Sequence, residues 1–215
     1  MPIETTLSQS EWIEEIWNIL AFKLKIPTNE SPGIFNEIKS RHSEPHRTYH
    51  TMIHLYQLFM LLENHPKEIE NHPLIELTIL FHDIVYDPQR NDNEEKSAAL
   101  ADQLVGHYLD AKTRHELKLM IESTQKHKPI LTATDNLYFL DMDMSILGVS
   151  PSIYSGYVRK IRQEYSILPH RQFDIGRKEF LINFLKRPRI FYTEMYFEQF
   201  EEQARANMER EMLLL

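Results

Sequence analysis

An all-α fold is predicted from three features of the 215-residue sequence. Apolar residues recur mostly at three-and-four spacing, the period of helices with one buried face. Five glycines in the whole chain leave little material for turn-rich sandwiches, barrels or Gly-loop nucleotide folds. Charged residues at 26% and hydrophobic residues at 42% are ordinary globular usage, and the length suits one core better than two. With no repeat, low-complexity tract or Ser/Gly linker to mark a border, one helical domain over 1–215 is expected, its C-terminal helices extending the same core.

Ten helices follow from the pattern. The first spans 9–25, where Trp12, Ile13, Ile16, Trp17 and Leu20 form a stripe after the candidate caps Ser8 and Ser10. Segments 31–42 and 47–64 continue the period, the second through Met52, Leu55, Leu58, Phe59, Leu61 and Leu62. Segment 73–86 opens on Pro73, suited to a first helical turn, and stops before Pro88. It is apolar on two faces, with Leu74, Leu77, Leu80, Phe81 and Ile84 opposite Ile75, Ile79 and Tyr86, which marks a buried helix. Asp92 or Asn93 caps the helix 94–109, and Glu94 and Glu95 suit its first turn. Leu117, Met120 and Ile121 carry 112–127, and 136–147 ends near Gly148. Helices 151–165, 173–186 and 194–213 complete the set. The stripe of the last, through Tyr196, Phe197, Phe200, Ala204 and Met208, is read as packing or as a homodimer contact. The apolar tail Met212 to Leu215 needs a partner in its own chain or another.

Charge and composition exclude several functions. Lys plus Arg number 24 against 32 Asp plus Glu, a net charge of −8, so no global attraction to an extended nucleic acid exists. With no cysteine, the chain has no disulfide, thiolate metal site or cysteine nucleophile, in keeping with a cytoplasmic protein. The stretch Met1 to Trp17 carries glutamates and no Lys or Arg, unlike a secretory or mitochondrial signal, and no apolar run reaches the roughly 18 residues of a membrane span.

Chemistry is concentrated where polar groups interrupt apolar helices. Seven histidines, at 42, 46, 50, 54, 65, 72 and 82, fall within one stretch. His82 and Asp83 flank a face of the doubly apolar helix, where a buried acid costs several kcal/mol unless paired, hydrogen-bonded or bound to a cation. A structural His–Asp hydrogen bond or an arginine partner would serve as well for an isolated dipeptide. His50 and His54 stand at i and i+4 of the expected helix 47–64, on one face and within reach of a shared site. Asp141 and Asp143 interrupt the apolar run 137–147; one can serve as a cap and the other as a ligand. Two imidazoles and two carboxylates from three helices suit a divalent Zn, Mn, Fe, Co, Ni or Mg ion. Such an ion lowers the pKa of bound water and polarises a phosphoryl oxygen.

The order His54, His82-Asp83 and a distal aspartate at 141 or 143 resembles the HD superfamily of metal-dependent phosphohydrolases, named for its His-Asp pair. Beyond those positions, Val85-Tyr86-Asp87-Pro88 and Asp92 to Ala98 look like a branch of that superfamily known mainly by prediction, which implies no particular substrate. The resemblance implies an HD-type helical bundle, a metal held by His54, His82, Asp83 and one distal acid, and hydrolysis of a small phosphoester such as a nucleotide. HD proteins commonly bind metal through the second acid of Asp-x-Asp, which favours Asp143 over Asp141. Tyr49-His50-xxx-His54 is also similar to the Tyr-His-Asn-x-x-His signature of cyclic nucleotide phosphodiesterases. Carried over, His50 is the general acid and His54 a ligand, although Thr51 replaces the asparagine. Asp83 then counts among both the catalytic and the ligating residues.

Around this set, Arg90 and Glu94 on the loop after His-Asp, and His127 and Lys128 farther on, are candidate substrate contacts. Helix capping and dipole effects explain the same residues without function. Arg159, Arg162, Arg171, Arg177 and Lys178 are either phosphate contacts or a salt-bridged face. Two other functions use the same residues: a di-iron HD-type oxygenase, and a non-catalytic regulatory module that binds a nucleotide or metal.

Overall fold

The computed structural model describes residues 7–64 and 67–215. Ten α-helices and no strand occur among them: α1 (Gln9–Lys23), α2 (Ser31–Arg41), α3 (Met52–Glu63), α4 (His72–Phe81), α5 (Asn93–Val105), α6 (Ala111–Ser123), α7 (Thr134–Met144), α8 (Pro151–Glu164), α9 (His170–Leu185) and α10 (Glu194–Met212). The all-α prediction therefore stands, and each expected helix has its counterpart. His65 and the first six residues lie outside the described ones.

All ten helices contribute to one cluster of buried apolar side chains, from Ile13 and Trp17 to Ala204 and Met208. Near its centre α4 is buried through Leu74, Ile75, Leu77, Thr78, Ile79, Leu80 and Phe81, as its two apolar faces require. The other central helix is α7, whose acids tie down its neighbours. Asp135 accepts the backbone N–H groups of Glu70 and Asn71, just ahead of α4. Asp141 accepts those of Tyr192 and Thr193, at the start of α10.

The stripe of α10 packs inside its own chain, with Tyr196, Ala204 and Met208 buried. It lies on the short 3₁₀ helix Ser145–Gly148, where a Cβ at Gly148 would stand 2.5 Å from Phe200 Cβ and 2.7 Å from the Phe200 carbonyl oxygen. Only glycine admits that approach. Of the tail, Met212 and Leu215 touch the core while Leu213 and Leu214 are exposed. No helix among the described residues is long and apolar enough to cross a membrane.

Of the helix ends that differ from expectation, three bear on the site. Helix α3 begins at Met52 instead of 47, capped by the Thr51 side chain, which accepts the Ile53 N–H; ahead of it the N–H groups of Thr48, Tyr49 and His50 all go to Glu164 Oε1 of α8, at 2.8, 2.7 and 2.9 Å. Helix α4 ends at Phe81 instead of 86. The carbonyls of Asp83 and Ile84 are taken by the buried guanidinium of Arg47, at 2.7 and 3.1 Å, and Pro88 has no N–H to offer Ile84. Helix α6 ends at Ser123 instead of 127, and the chain turns there with His127 at φ 44°.

Candidate metal centre

His54, on the first turn of α3, and His82, capping the C-terminus of α4, are 2% and 1% exposed. Their Nε2 atoms face each other at 3.3 Å. Asp143 of α7 brings Oδ1 to 3.4 Å from His54 Nε2 and 3.9 Å from His82 Nε2. One ligand atom from each of these three residues lies within 4.8 Å of the others. Asp83 adjoins them, with Oδ2 3.0 Å from His82 Nε2 and 3.8 Å from His50 Nε2.

The donors fit a divalent cation. His82 Nδ1 donates to the Ile79 carbonyl at 3.0 Å, which leaves the Nε2 lone pair of the neutral ring aimed at two carboxylates and a second imidazole. That convergence is repulsive unless a proton or a metal ion sits within it. The protonation balance has the same origin. Burial pushes His82 down, but the charges of Asp83 and Asp143 outweigh it and lift its pKa to about 9. His54 is pushed below the usual histidine range, chiefly by burial. Asp83 and Asp143 are both held well below the ordinary carboxylate range, because neighbouring imidazoles overcome the burial that would raise them.

His50 lies just before α3, not on it, so the expected shared helix face with His54 does not form; their ring centroids are nonetheless 5.7 Å apart. Its orientation comes from Glu164, which the sequence reading missed. Glu164 Oε2 accepts from His50 Nδ1 at 2.7 Å and from the Tyr86 hydroxyl at 2.9 Å. With Nδ1 so held, Nε2 is the atom that faces Asp83. Burial pushes the His50 pKa down, but Asp83 and Glu164 outweigh it and raise it. The donors hold Glu164 at about 2 against the opposing effect of burial. A signal for Glu164 existed: Tyr154, Tyr157, Ile161 and Glu164 follow one another at helical spacing and are all buried, so an acid interrupts an apolar stripe. Arg47 gave no comparable signal; it ties the backbone carbonyl of His50 to those of Asp83 and Ile84.

The other sequence candidates divide. Asp141, the alternative ligand, does not join the group. Its carboxylate accepts from the Tyr192 and Thr193 N–H groups and the Thr193 hydroxyl, at 2.8, 2.7 and 2.7 Å, and burial lifts its pKa to about 6 despite them. Two residues apart on a helix is about 200° of rotation, so Asp141 and Asp143 cannot face one site. His127 does reach the group, with Nε2 3.2 Å from Asp143 Oδ2. Its φ of 44° is held from outside, its carbonyl accepting from Arg187 and from the Tyr192 hydroxyl. Lys128 is exposed and away from the cavity beside the site, whereas Lys126 lines it. Arg90 and Glu94 also line it, but the Arg90 guanidinium is already forked onto Asp92 at 2.7 and 2.6 Å. Of the seven clustered histidines, 50, 54 and 82 converge. His42 donates instead to the Ile38 carbonyl and His46 to that of Tyr86.

The cavity has a volume of about 710 Å³. His50, Asp83, Asp143 and His127 form one part of its wall, and aromatic side chains from α8 and α9 another. No family model, curated protein or solved structure matches the chain.

Proposed function

We propose that the chain is a metal-dependent phosphohydrolase of the HD superfamily, acting on a small phosphoester. The observation that carries this reading is the convergence of His54, His82 and Asp143 on one point, with Asp83 and His50 beside them, at the wall of a cavity. His54, His82, Asp83 and Asp143 would hold a divalent ion. When bound, such an ion supplies Lewis acidity toward a phosphoryl oxygen and makes water a nucleophile at neutral pH. His50 is the proton donor: Glu164 fixes Nδ1 and favours the protonated ring, and Nε2 delivers a proton to the leaving oxygen as the P–O bond breaks. His127 and Lys126, which line the same cavity, would contact the phosphate.

The test is elemental analysis of protein purified without added metal, together with phosphate release from a panel of phosphoesters, for wild type and His82→Ala. About one transition-metal ion per chain, lost with turnover in the variant, is expected. Iron near two per chain would point instead to oxidative chemistry, and full turnover by Asp83→Ala would overturn the assignment.

A further inference from the structure

The turn after α6 carries His127 at φ 44°, with the Lys128 N–H returned to the Ser123 carbonyl at 3.1 Å. Glycine closes a helix in this left-handed conformation without the Cβ crowding that a histidine meets there. The ring that this strained position carries faces the candidate metal centre, with Nε2 3.2 Å from Asp143 Oδ2. Strain of this kind persists only where the surroundings fix the residue in more than one way.

Two side chains from the connection between α9 and α10 do so. Arg187 forks onto two successive carbonyls, Nη1 donating to that of His127 at 2.8 Å and Nη2 to that of Lys126 at 2.6 Å. The Tyr192 hydroxyl donates to the same His127 carbonyl at 2.7 Å. No carboxylate pairs with Arg187 among the described residues, so its donors are directed at this turn. Its guanidinium lies 3.8 Å from the centroid of the buried Phe184 ring, which also packs 5.8 Å from the His127 ring. Beneath it, Arg205 of α10 takes the Leu185 and Arg187 carbonyls at 3.1 and 2.8 Å and pairs with Glu201, which fixes the backbone that carries Arg187.

The consequence falls on Asp143. With His127 at Oδ2, the carboxylate presents Oδ1 to His54 and His82, at 3.4 and 3.9 Å. A hydrogen-bond partner of a ligating carboxylate sets its orientation, and losing that partner weakens metal binding. We propose that Arg187 is a positioning residue of the candidate metal centre: through the carbonyls of Lys126 and His127 it holds the His127 ring against Asp143 Oδ2, so that Oδ1 stays turned toward His54 and His82. This rests on the metal-centre reading for its effect on metal affinity only; the placement of the ring can be tested without metal.

Two measurements on the full chain separate the two. In metal-free protein, the His127 ring signals in proton–nitrogen correlation spectra, assigned by their loss in His127→Gly, should shift in Arg187→Met and stay in place in Arg189→Met, whose arginine pairs with Glu194 instead. Arg187→Lys, which keeps the charge but cannot fork onto two carbonyls, is the milder variant and should also shift the ring. In calorimetric titration with manganese, Arg187→Met and His127→Gly, which keeps the left-handed turn, should each bind about tenfold or more weakly than wild type. The double variant should bind no more weakly than His127→Gly alone, because the arginine acts through that ring, whereas a merely structural loss would add. A shifted ring with no manganese bound by wild type would leave the hold on His127 standing and remove the metal reading. An unmoved ring in Arg187→Met and Arg187→Lys, wild-type manganese affinity in both, or losses that add in the double variant would overturn the proposal.

Discussion

His50 Nδ1 and Glu164 Oε2 stand 2.7 Å apart, although 114 residues separate them in the chain. The same glutamate receives three consecutive backbone N–H groups from the segment that carries His50, so one side chain sets both the ring and its backbone. Glu164→Gln should preserve much of the shape while removing the charge that helps raise the His50 pKa. The proton-donating form of His50 is then lost at lower pH. In metal-loaded protein, the alkaline limb of the kcat profile should move toward acid and kcat should fall about 10- to 100-fold, with KM less affected. An unmoved limb would separate Glu164 from the proton donor.

Stability should also respond to this carboxylate. The Glu164 pKa is depressed from an ordinary 4.5 to about 2, so its contribution is fully present above the unfolded value and is lost as pH falls from there toward the folded one. The loss is on the order of 3 kcal/mol. Urea unfolding of wild type should show this decline as pH falls from about 5 to about 2, and Glu164→Gln should flatten it.

Asp141 and Asp143 should separate cleanly by assay. Asp143→Ala removes a donor from the His54–His82 group and should abolish metal uptake measured by elemental analysis. Asp141→Ala should leave uptake intact and destabilise the fold by about 1–2 kcal/mol, since it removes acceptors from the start of α10. Metal lost equally in both variants would contradict the division.

Metal added to the metal-free protein at about 100 times its Kd should stabilise it by about 3 kcal/mol. His54→Ala should lose most of that shift in thermal or urea unfolding. An equal shift in the variant would mean that the ion binds elsewhere.

Arg47→Ala should be among the most damaging single changes outside the centre. Its buried guanidinium joins the carbonyls of His50, Asp83 and Ile84 and pairs with Glu44. Removing it leaves buried acceptors unpaired, with an expected loss of roughly 3–5 kcal/mol in urea unfolding. A loss below about 1 kcal/mol would show that solvent replaces it.

The helices were legible because apolar spacing and end signals are local. Ser8 does cap α1, Pro73 does fall in the first turn of α4, and α10 does bury the stripe that ends in Met208. The candidate centre was legible for a related reason: a histidine or acid inside an apolar run must be compensated, and His54, His82 and Asp143 answered that need together. The errors fall where side chains from distant segments claim backbone groups. Glu164 binds the backbone ahead of α3, where helix was expected from 47, and Arg47 binds the turn after α4, where helix was expected to 86. Lys128 and the pairing of Arg90 with Asp92 turned on loop geometry that no periodicity encodes.

Local sequence alone carried the all-α class, the order of ten helices, and the apolar surroundings of His54, His82 and Asp143. These depend on a repeat of about 3.6 residues and on the cost of burying charge, both carried by neighbours in the chain. The tertiary structure decided which acid met the two histidines and which residue oriented His50. Each of these depends on a distance between segments tens of residues apart, which packing sets and local sequence does not.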